Sequence, residues 1–193
     1  MCTSARCRFN GGRVPTEEDL RILSWQLGRP PRGVLAVKPC PYGLPQVILN
    51  HPLLLSDTPG GEPEPMPTIF WLTCPFLAEE VAKLESAGAV KRYEKMLSQD
   101  EKLAQAYARA HEEYRRERLS LLSEEQRAWI KERGYTVLLT AGIAGISNSK
   151  RVKCLHAQLA HFLAGRKNPV GALVAQELIA LQCPDRRCVQ ALA

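Results

Sequence analysis

The sequence contains no apolar run long enough for a membrane span, and it has few aromatic residues. Its longest apolar stretches fall far below the roughly 20 residues that a transmembrane helix needs. We therefore expect no membrane partner. Hydrophobic residues make up 45%, charged residues 24% and aromatic residues 6% of the 193 positions. This composition is typical of an ordinary globular protein and argues against a disordered or membrane protein.

The first residues also lack the features of a secretory signal. The segment MCTSARCRFNGG has no hydrophobic stretch behind its charges, so we expect a cytoplasmic protein. That location decides how the seven cysteines are interpreted. Disulfides are uncommon in a reducing compartment, which leaves metal binding, catalysis or simple burial as the role of these thiols.

Several familiar site motifs are missing. The cysteines form no C-x-x-C knuckle, and the segment AGIAGISNSK lacks the G-x-x-x-x-G-K-[ST] order of a phosphate-binding loop. We find no Ser-His-Asp set or paired carboxylates. The net charge of +6 and the isoelectric point near 9.0 favour an anionic partner, but the basic residues are spread along the chain. A small anionic ligand is the partner we expect, and nucleic acid stays open as the less favoured one.

The order of the secondary-structure patterns predicts an α+β protein. Three strand candidates, VLAVKPC, PQVILNHPLLL and TIFWLTC, come before a series of helical patterns, and the proline-rich segment 56–67 reads as an exposed loop. We expect a small N-terminal three-stranded sheet packed against a helical C-terminal half. Residues 16–182 would form this single domain, between a flexible tail at 1–15 and a C-terminal tail at 183–193.

Capping residues and apolar spacing predict where the helices lie. Thr16, Ser123 and Asn168 are N-cap candidates, and Gly28 is a helix terminator. The segment YTVLLTAGIAGI stays open between a strand and a buried loop. The predicted helices cover 17–27, 75–88, 100–122, 124–134, 150–164 and 169–181.

Three cysteines are placed where strands end and helices begin. Cys40 ends the first strand, Cys74 ends the third strand, and Cys154 starts a helix. In an up-down-up meander the first and third strands run the same way, so Cys40 and Cys74 would emerge at one edge of the sheet. A helical half docked over that edge would bring Cys154 to them. Cys2, Cys7, Cys183 and Cys188 are weaker candidates, because they fall in the predicted tails without matching partners.

A metal site built on these three thiols needs a further ligand. His156 would complete a Cys3His set, which suits zinc. Residues two apart on a regular helix point about 200° from each other, so Cys154 and His156 can share a metal only if Cys154 sits at the irregular start of its helix. His161, seven residues after Cys154 on the same helix face, and His111 on the long helix are the other available donors, so the fourth ligand stays open. The competing interpretation is that the cysteines are core residues, since cysteine is among the most buried residue types.

A second candidate site lies on the long helix. His111, Tyr114, Arg115 and Arg118 are spaced three, four and seven apart and could form one polar stripe. Facing the thiol edge, this stripe would make an acid-base or anion-binding surface, with Arg118 as a carboxylate or phosphate clamp. His111, Arg118 and His156 are therefore the catalytic candidates. The alternative is a solvated face that pairs with neighbouring glutamates.

Eight short motifs in order resemble the bacterial domain-of-unknown-function family 501. They are QLGRPPRG, KPCPYGLPQV, PTIFWLTCP, LESAGAV, AHEEYRRER, GIAGI, VKCLHAQLAHFLAG and NPVG, and they span roughly residues 19–178. The resemblance implies that Cys74, Cys154 and His156 hold the family's recurring thiols and imidazole, with Cys40 and His111 inside two further motifs. It implies no activity.

The sequence thus predicts a cysteine-based metal or iron–sulfur site at Cys40, Cys74, Cys154 and His156. The Cys-Pro pairs at Cys40 and Cys74 are of the kind that holds iron–sulfur clusters, whereas a Cys3His zinc would be structural; the choice stays open. The site would act on a small anionic substrate. The alternative is a non-enzymatic binding module for nucleic acid or a protein partner, held together by structural zinc or a plain core.

Overall fold

The first helix begins and ends where its capping residues predict. The computed structural model describes residues 11–56, 58 and 60–192. Helix α1, Glu17–Leu27, starts at a capping box in which Thr16 Oγ1 accepts the Asp19 N–H and the Asp19 carboxylate accepts the Thr16 N–H. It ends at Gly28, whose φ of 66° is a left-handed conformation that glycine adopts without strain.

A three-stranded antiparallel sheet forms in the N-terminal half of the chain. Its strands are β1 (Val34–Pro39), β2 (Pro45–Asn50) and β5 (Phe70–Leu72), in the order β1-β2-β5. Every residue of the central strand β2 is buried. Since β2 is antiparallel to both neighbours, β1 and β5 run in the same direction, and Cys40 and Cys74 follow them at one edge. The predicted meander is confirmed.

A two-residue ribbon interrupts the segment predicted as strand and loop. Strand β3, Leu53–Leu54, pairs antiparallel with β4, Glu64–Pro65. The second strand candidate therefore divides into β2 and β3 at His51 and Pro52. For the described residues of 56–67 the loop prediction holds apart from Glu64, which is exposed, and Pro65, which is half-buried.

Helices build the C-terminal half, as predicted, with four differences. The helix expected at 169–181 ends at Glu177. The segment 89–99 forms a helix that the sequence analysis missed. The undecided segment YTVLLTAGIAGI forms a short helix and then a 3-10 turn at Ile143–Gly145. The helix expected at 150–164 starts only at Leu155. The helices are α2 (Pro75–Ser86), α3 (Ala89–Gln99), α4 (Glu101–Ser120), α5 (Glu124–Glu132), α6 (Thr136–Thr140), α7 (Leu155–Leu163) and α8 (Pro169–Glu177).

Helix α7 lies at the centre of the fold. It contacts β5, α2 and α8, and six of its nine residues are buried. Its two sides belong to two core clusters. Ala157 and Ala160 pack with the sheet and α4, whereas Leu155 and Leu159 pack with α2, α3 and α8. The helix therefore joins the sheet to the helical half, and this packing on both sides fixes the position of its N-terminus.

The segments predicted as tails make defined contacts wherever the structure describes them. Arg13 pairs with Val37 of β1 through two backbone hydrogen bonds of 2.9 and 2.8 Å. At the other end, a 3-10 helix at Arg187–Leu192 packs on α1, and Cys183 and Cys188 are buried. Residues 1–10, with Cys2 and Cys7, lie outside the described residues. Within the described part of the chain, no helix combines the length and apolarity needed to cross a bilayer.

Candidate functional site

Cys154 occupies the N-cap of α7 in an unusual backbone conformation. Its φ of 50° and ψ of 84° fall in the left-handed region, which a non-glycine residue rarely adopts and which costs about 1–3 kcal/mol. This is the irregular helix start that the sequence analysis required. Because Cys154 is not part of the regular helix, its side chain and that of His156 can turn toward the same point.

A hydrogen bond at Nε2, the ring nitrogen away from Glu85, holds the His156 imidazole in one orientation. Nε2 lies 3.0 Å from the Ala78 carbonyl oxygen. Since a carbonyl only accepts, Nε2 carries the hydrogen and donates it. Nδ1 is then the nitrogen with a free lone pair in the neutral ring, and it lies 3.4 Å from Glu85 Oε1.

Glu85 completes a three-residue group with Cys154 and His156. A carboxylate oxygen of Glu85, the Cys154 sulfur and a His156 ring nitrogen all lie within 4.8 Å of one another. Glu85 Oε1 also accepts the Leu155 N–H at 2.6 Å, so the carboxylate is fixed against the first turn of α7. Glu85 and His156 are half-buried, and Cys154 is exposed. We call these three residues the Glu85 triad.

The electrostatics of the triad favour an ion pair between sulfur and ring. Burial works to raise the pKa of Cys154, but hydrogen bonds with the His156 ring and the Ala157 N–H bring that pKa below its usual value. The hydrogen bond with Cys154 raises the pKa of His156. The thiol is therefore activated toward its anionic form, which is the form that binds metals and attacks electrophiles.

The three groups of the triad form one compact cluster and not a relay that runs from carboxylate through histidine to nucleophile. In a catalytic relay, the carboxylate and the nucleophile lie on opposite ring nitrogens of the histidine. Here the far nitrogen, Nε2, is bonded to the Ala78 carbonyl, and the carboxylate and the sulfur lie within 4.8 Å of each other. Three ligand atoms within 4.8 Å of one another form a group that could bind a single ion.

A shallow, mainly apolar cavity lies beside the triad. It has a volume of about 300 Å³, and Met66, Phe70, Leu72, Cys154 and His156 line part of it. A larger cavity of about 440 Å³ lies around Arg32 and His51, away from the thiols. The cavity at Cys154 is the one that places an activated sulfur and an imidazole in its wall.

The structure divides the predicted metal ligands between two places. Cys154 and His156 belong to the Glu85 triad. Cys74 is the buried N-cap of α2, and Cys40 is half-buried and packs against the core cluster of Ile22, Leu44 and Cys188. Burial raises the pKa of Cys74 to about 11. Its strongest thiol neighbours in electrostatic terms are Cys188 and Cys183, and neither Cys40 nor Cys74 is in the triad.

His111 lies in the interior rather than on a polar surface. Its Nδ1 accepts the Ile143 N–H at 3.0 Å, and burial lowers its pKa to about 4. Its Nε2 is buried with no hydrogen-bond partner among the described residues. The close approach requires glycine at position 142, since a Cβ there would collide with the His111 ring.

Arg118 is fully buried, and its guanidinium N–H groups donate to backbone carbonyls. Nε donates to Leu138 O at 2.8 Å, Nη1 donates to Pro67 O at 3.1 Å, and Nη2 donates to Ala141 O. Three of the four predicted stripe residues, His111, Tyr114 and Arg118, thus face the core. Arg115 lies at the surface and pairs with Glu112.

The sequence analysis missed Glu85 and set Cys183 and Cys188 aside as weaker candidates. Glu85 lies 70 residues before Leu155, and no spacing rule connects a glutamate near a helix end with a distant thiol. Cys183 and Cys188 were assigned to a tail. The docking of the C-terminal 3-10 helix on α1 could not be inferred from the sequence.

Comparison with known proteins shows to which family the chain belongs. A family model described as "Protein of unknown function (DUF501)" matches residues 36–176. The chain belongs to the DUF501 family. The resemblance predicted from the eight motifs is thereby confirmed. The DUF501 match includes all three triad residues as well as Cys40 and Cys74, while Cys183 and Cys188 follow it. No curated protein and no solved structure matched the chain.

Proposed function

We propose that the Glu85 triad of this DUF501 protein binds a single transition-metal ion, with zinc as the first choice. The observation that carries this proposal is the convergence of a carboxylate, a thiolate and an imidazole within 4.8 Å. Zinc holds oxygen and nitrogen ligands at about 2.0–2.2 Å and sulfur at about 2.3 Å. Tetrahedral ligands at these lengths lie roughly 3.3–3.8 Å apart, so a small closure of the triad would bind the ion.

The surroundings of the triad suit a metal ligand set. The His156 N–H donated to the Ala78 carbonyl is the outer contact that metal-binding histidines usually make, because it fixes the tautomer and the ring orientation. The Leu155 N–H does the same for the Glu85 carboxylate. An iron–sulfur cluster fits this position poorly, since the triad supplies one thiolate and clusters are held by several.

Three protein ligands leave a fourth position of the ion open. That position would face the apolar cavity beside Cys154 and His156, where a metal can polarise a substrate oxygen or lower the pKa of a bound water. We therefore propose a cytoplasmic, metal-dependent enzyme that acts on a small anionic substrate with an apolar part. The anionic group would bind the metal, and the apolar part would lie against Phe70 and Leu72.

A second candidate function is a cysteine nucleophile without metal. The lowered pKa of Cys154 and its place at a helix N-terminus favour it. The convergent placement of Glu85 argues for the metal first. A binding module for nucleic acid or protein remains the non-enzymatic alternative. This alternative predicts that the protein associates with RNA or DNA in a strongly salt-dependent way and that the association does not require Cys154.

Zinc titration of metal-depleted, full-length protein tests the proposal. We expect Glu85→Gln, Cys154→Ser and His156→Ala each to weaken one zinc-binding event by more than about 100-fold, since even outer-contact mutations cost 10–100-fold in affinity. Glu80→Gln is the matched control, because Glu80 lies on the same helix and pairs only with surface Lys83 among the contacts described. Its zinc affinity should equal that of the wild type.

Alkylation of Cys154 separates the two enzymatic candidates. If the triad binds zinc, one equivalent of zinc protects Cys154 from iodoacetamide, and Glu85→Gln removes the protection. If Cys154 is a metal-free nucleophile, it reacts at neutral pH with or without zinc, and His156→Ala slows the reaction. Equal zinc affinity in the wild type and all three triad variants would overturn the metal proposal.

A further inference from the structure

A buried amide oxygen at the end of β2 has no hydrogen-bond donor within the described part of the chain. Asn50 is 2% exposed, and its Oδ1 is buried and accepts no hydrogen bond from any described residue. Leaving a buried acceptor unsatisfied costs free energy, and native proteins satisfy nearly all such groups. A donor other than the described residues is therefore expected at Asn50.

Asn50 lines a narrow slot between the sheet and the segment that follows α1. The slot has a volume of about 20 Å³, which is room for one hydrogen-bonding group. Arg29 and Arg32 line it together with Asn50. Its apolar wall includes four side chains, namely Leu27, Ile48, Leu54 and Trp71. A few polar groups set in an apolar wall is the usual composition of a small-molecule site.

A larger cavity adjoins the slot. Its volume is about 440 Å³, and Pro31 and Arg32 belong to the walls of both spaces. His51 and Gln126 add polar groups to the larger cavity. Small-molecule sites have volumes of roughly 300–1,000 Å³. The slot can therefore take one group of a ligand, and the cavity can take the rest of it.

The segment 29–33 forms a rigid wall for both spaces. Pro30 and Pro31 fix their own φ angles. The Gly33 carbonyl accepts the His51 N–H at 2.7 Å. Gly33 has a φ of 65°, and a Cβ at this position would lie 2.5 Å from Leu54 Cδ2, so the chain needs glycine there. A wall that is already ordered lowers the entropy cost of binding a ligand.

The two arginines of the slot differ in their contacts. Arg32 Nη1 donates to Glu64 Oε2 at 3.1 Å, and Arg32 Nη2 donates to the Leu55 carbonyl at 2.6 Å. These bonds fix the Arg32 guanidinium and offset its charge. The Arg29 guanidinium lies 5.8 Å from the centre of the Trp71 ring, and no carboxylate among the described residues pairs with it. An anion at the slot would therefore meet the charge of Arg29.

Two simpler explanations each account for one part of this arrangement. Arg29 follows the C-terminus of α1, where a cation interacts favourably with the helix dipole. A single water molecule would satisfy Asn50. Neither explanation accounts for a cavity of ligand size that shares a wall with the slot.

We propose that the slot and the adjoining cavity bind a small oxyanion, a carboxylate or a phosphate ester, that also carries an O–H or N–H group. This group donates to Asn50 Oδ1, and the oxyanion pairs with Arg29. Because Asn50 and Arg29 line the same slot, the two groups lie close together in the ligand. The site is independent of the proposed function, since no triad residue lines either space. Trp71, however, also lines the cavity beside the triad.

Calorimetric titration of full-length wild-type protein with matched probes tests this site. Lactate and propionate differ by one O–H group, and so do 2-hydroxyethyl phosphate and ethyl phosphate. In one of these pairs we expect the hydroxylated probe to bind with one equivalent per chain, at least about 10-fold more tightly than its partner, because only the hydroxylated probe satisfies Asn50. The pair that shows this preference identifies the oxyanion as carboxylate or phosphate.

The wild-type titration can overturn the proposal without any variant. If none of the four probes binds saturably, the slot holds no oxyanion. If the O–H group makes no difference in either pair, Asn50 does not contact the ligand. Either result would contradict the site.

Variants of the two polar residues test their separate roles. Arg29→Gln should weaken binding of the hydroxylated probe by about 10-fold or more, since a charge-assisted hydrogen bond is lost. Arg21→Gln is the matched control, because Arg21 is an exposed arginine of α1 that lines neither space. Equal weakening in both variants would indicate general charge attraction and overturn the site. Asn50→Leu should remove the preference for the O–H group.

Glu85→Gln separates this site from the metal site. We expect this variant to lose zinc and to bind the hydroxylated probe as tightly as the wild type does, because the two sites share no polar residue. If Asn50→Leu does not fold, the wild-type pairs and Arg29→Gln still decide the outcome. Loss of probe binding in Glu85→Gln would assign the oxyanion to the triad and contradict the proposal.

Discussion

Arg118 shows how a charged side chain can serve the fold from inside the core. Its guanidinium reaches the carbonyls of Val137, Leu138 and Ala141 at the end of α6 and the carbonyl of Pro67 before β5. Carbonyls at a helix C-terminus have no partners within the helix. Arg118 supplies donors to the Leu138 and Ala141 carbonyls, whereas the Val137 carbonyl also accepts the Ala141 N–H. Arg118 so ties α6 and the loop before β5 to α4.

We predict that Arg118→Met lowers the free energy of unfolding by about 3 kcal/mol or more. The reason is that several buried carbonyls lose their donor, and each unsatisfied buried group costs about 1–3 kcal/mol. Arg115→Met is the control on the same helix, because its partner Glu112 is at the surface and exposed pairs contribute about 0–1 kcal/mol. Urea denaturation measures both. Equal losses would contradict the role given to Arg118.

The burial of His111 and Arg118 shows what residue spacing can and cannot predict. On α4, Tyr107, Ala110 and Tyr114 lie on one buried face of the helix. His111 and Arg118 fall on that same face, but the sequence analysis grouped them by polarity. Position on the helix decided their burial, and only the structure shows the carbonyls and N–H groups that compensate for it.

At the scale of elements, the start of α8 depends on one buried side chain. Asn168 Oδ1 accepts the Gly171 N–H at 3.0 Å, and Asn168 Nδ2 donates to the Gln158 carbonyl at 3.1 Å. The same amide therefore caps α8 and ties it to α7. Since α7 carries the Glu85 triad at its N-terminus, the cap also helps to hold the helix that positions the triad.

We predict that Asn168→Ala lowers the free energy of unfolding by about 2 kcal/mol, because both the cap and the bond to α7 are lost. Asn168→Ser separates the two contributions. A serine oxygen still caps the helix but cannot replace the amide donor. The Asn168→Ser variant should therefore lose about half as much free energy of unfolding as Asn168→Ala. Thermal or urea unfolding of the three proteins measures this. A serine variant as unstable as the alanine variant would show that the cap contributes nothing.

Sequence patterns predicted the elements that begin with a strong cap. The helices after Thr16, Ser123 and Asn168 start where the capping residues indicate. Helix α3 was missed because it follows Gly88 and has no side-chain cap, although Ala89, Tyr93 and Leu97 repeat at four-residue steps. Helix α6 could not be predicted because its residues TVLLT favour a strand locally, and contacts with α4 override that preference.

For the whole molecule, the α+β architecture was predictable and the grouping of the thiols was not. Strand candidates, turn residues and helical spacing together indicated a sheet followed by helices. The predicted edge shared by Cys40 and Cys74 followed from strand direction alone. Which distant segment covers that edge depends on packing between elements. In the structure the C-terminal segment accepts a hydrogen bond from Gln46 of β2 and donates one to Glu79 of α2, and Cys154 lies within 4.8 Å of Glu85.

The stability of the whole molecule should fall as the solution becomes acidic. Burial lowers the pKa of His111 to about 4 and that of His161 to about 3, while both titrate near 6.5 when unfolded. Between these values the unfolded chain binds more protons than the folded one, so the free energy of unfolding rises with pH. The stabilisation is complete above about pH 6.5 and is lost as pH falls toward 4.

We predict a slope of up to about 1.4 kcal/mol per pH unit for each of these histidines within that window. His161→Gln should reduce the total slope, because glutamine does not titrate. Urea unfolding at half-unit steps from pH 4 to pH 7 measures the slopes. A His161→Gln variant that keeps the full pH dependence of the wild type would show that His161 does not contribute to it.

The left-handed backbone of Cys154 implies a conflict between folding and chemistry at that position. Glycine would adopt the same conformation without the steric cost that a side chain brings. By the criterion of stability alone, cysteine is therefore the poorer choice at the start of α7. The backbone cost at Cys154 places a sulfur within 4.8 Å of Glu85 and His156, which is the exchange of stability for chemistry that the metal site proposed above would require.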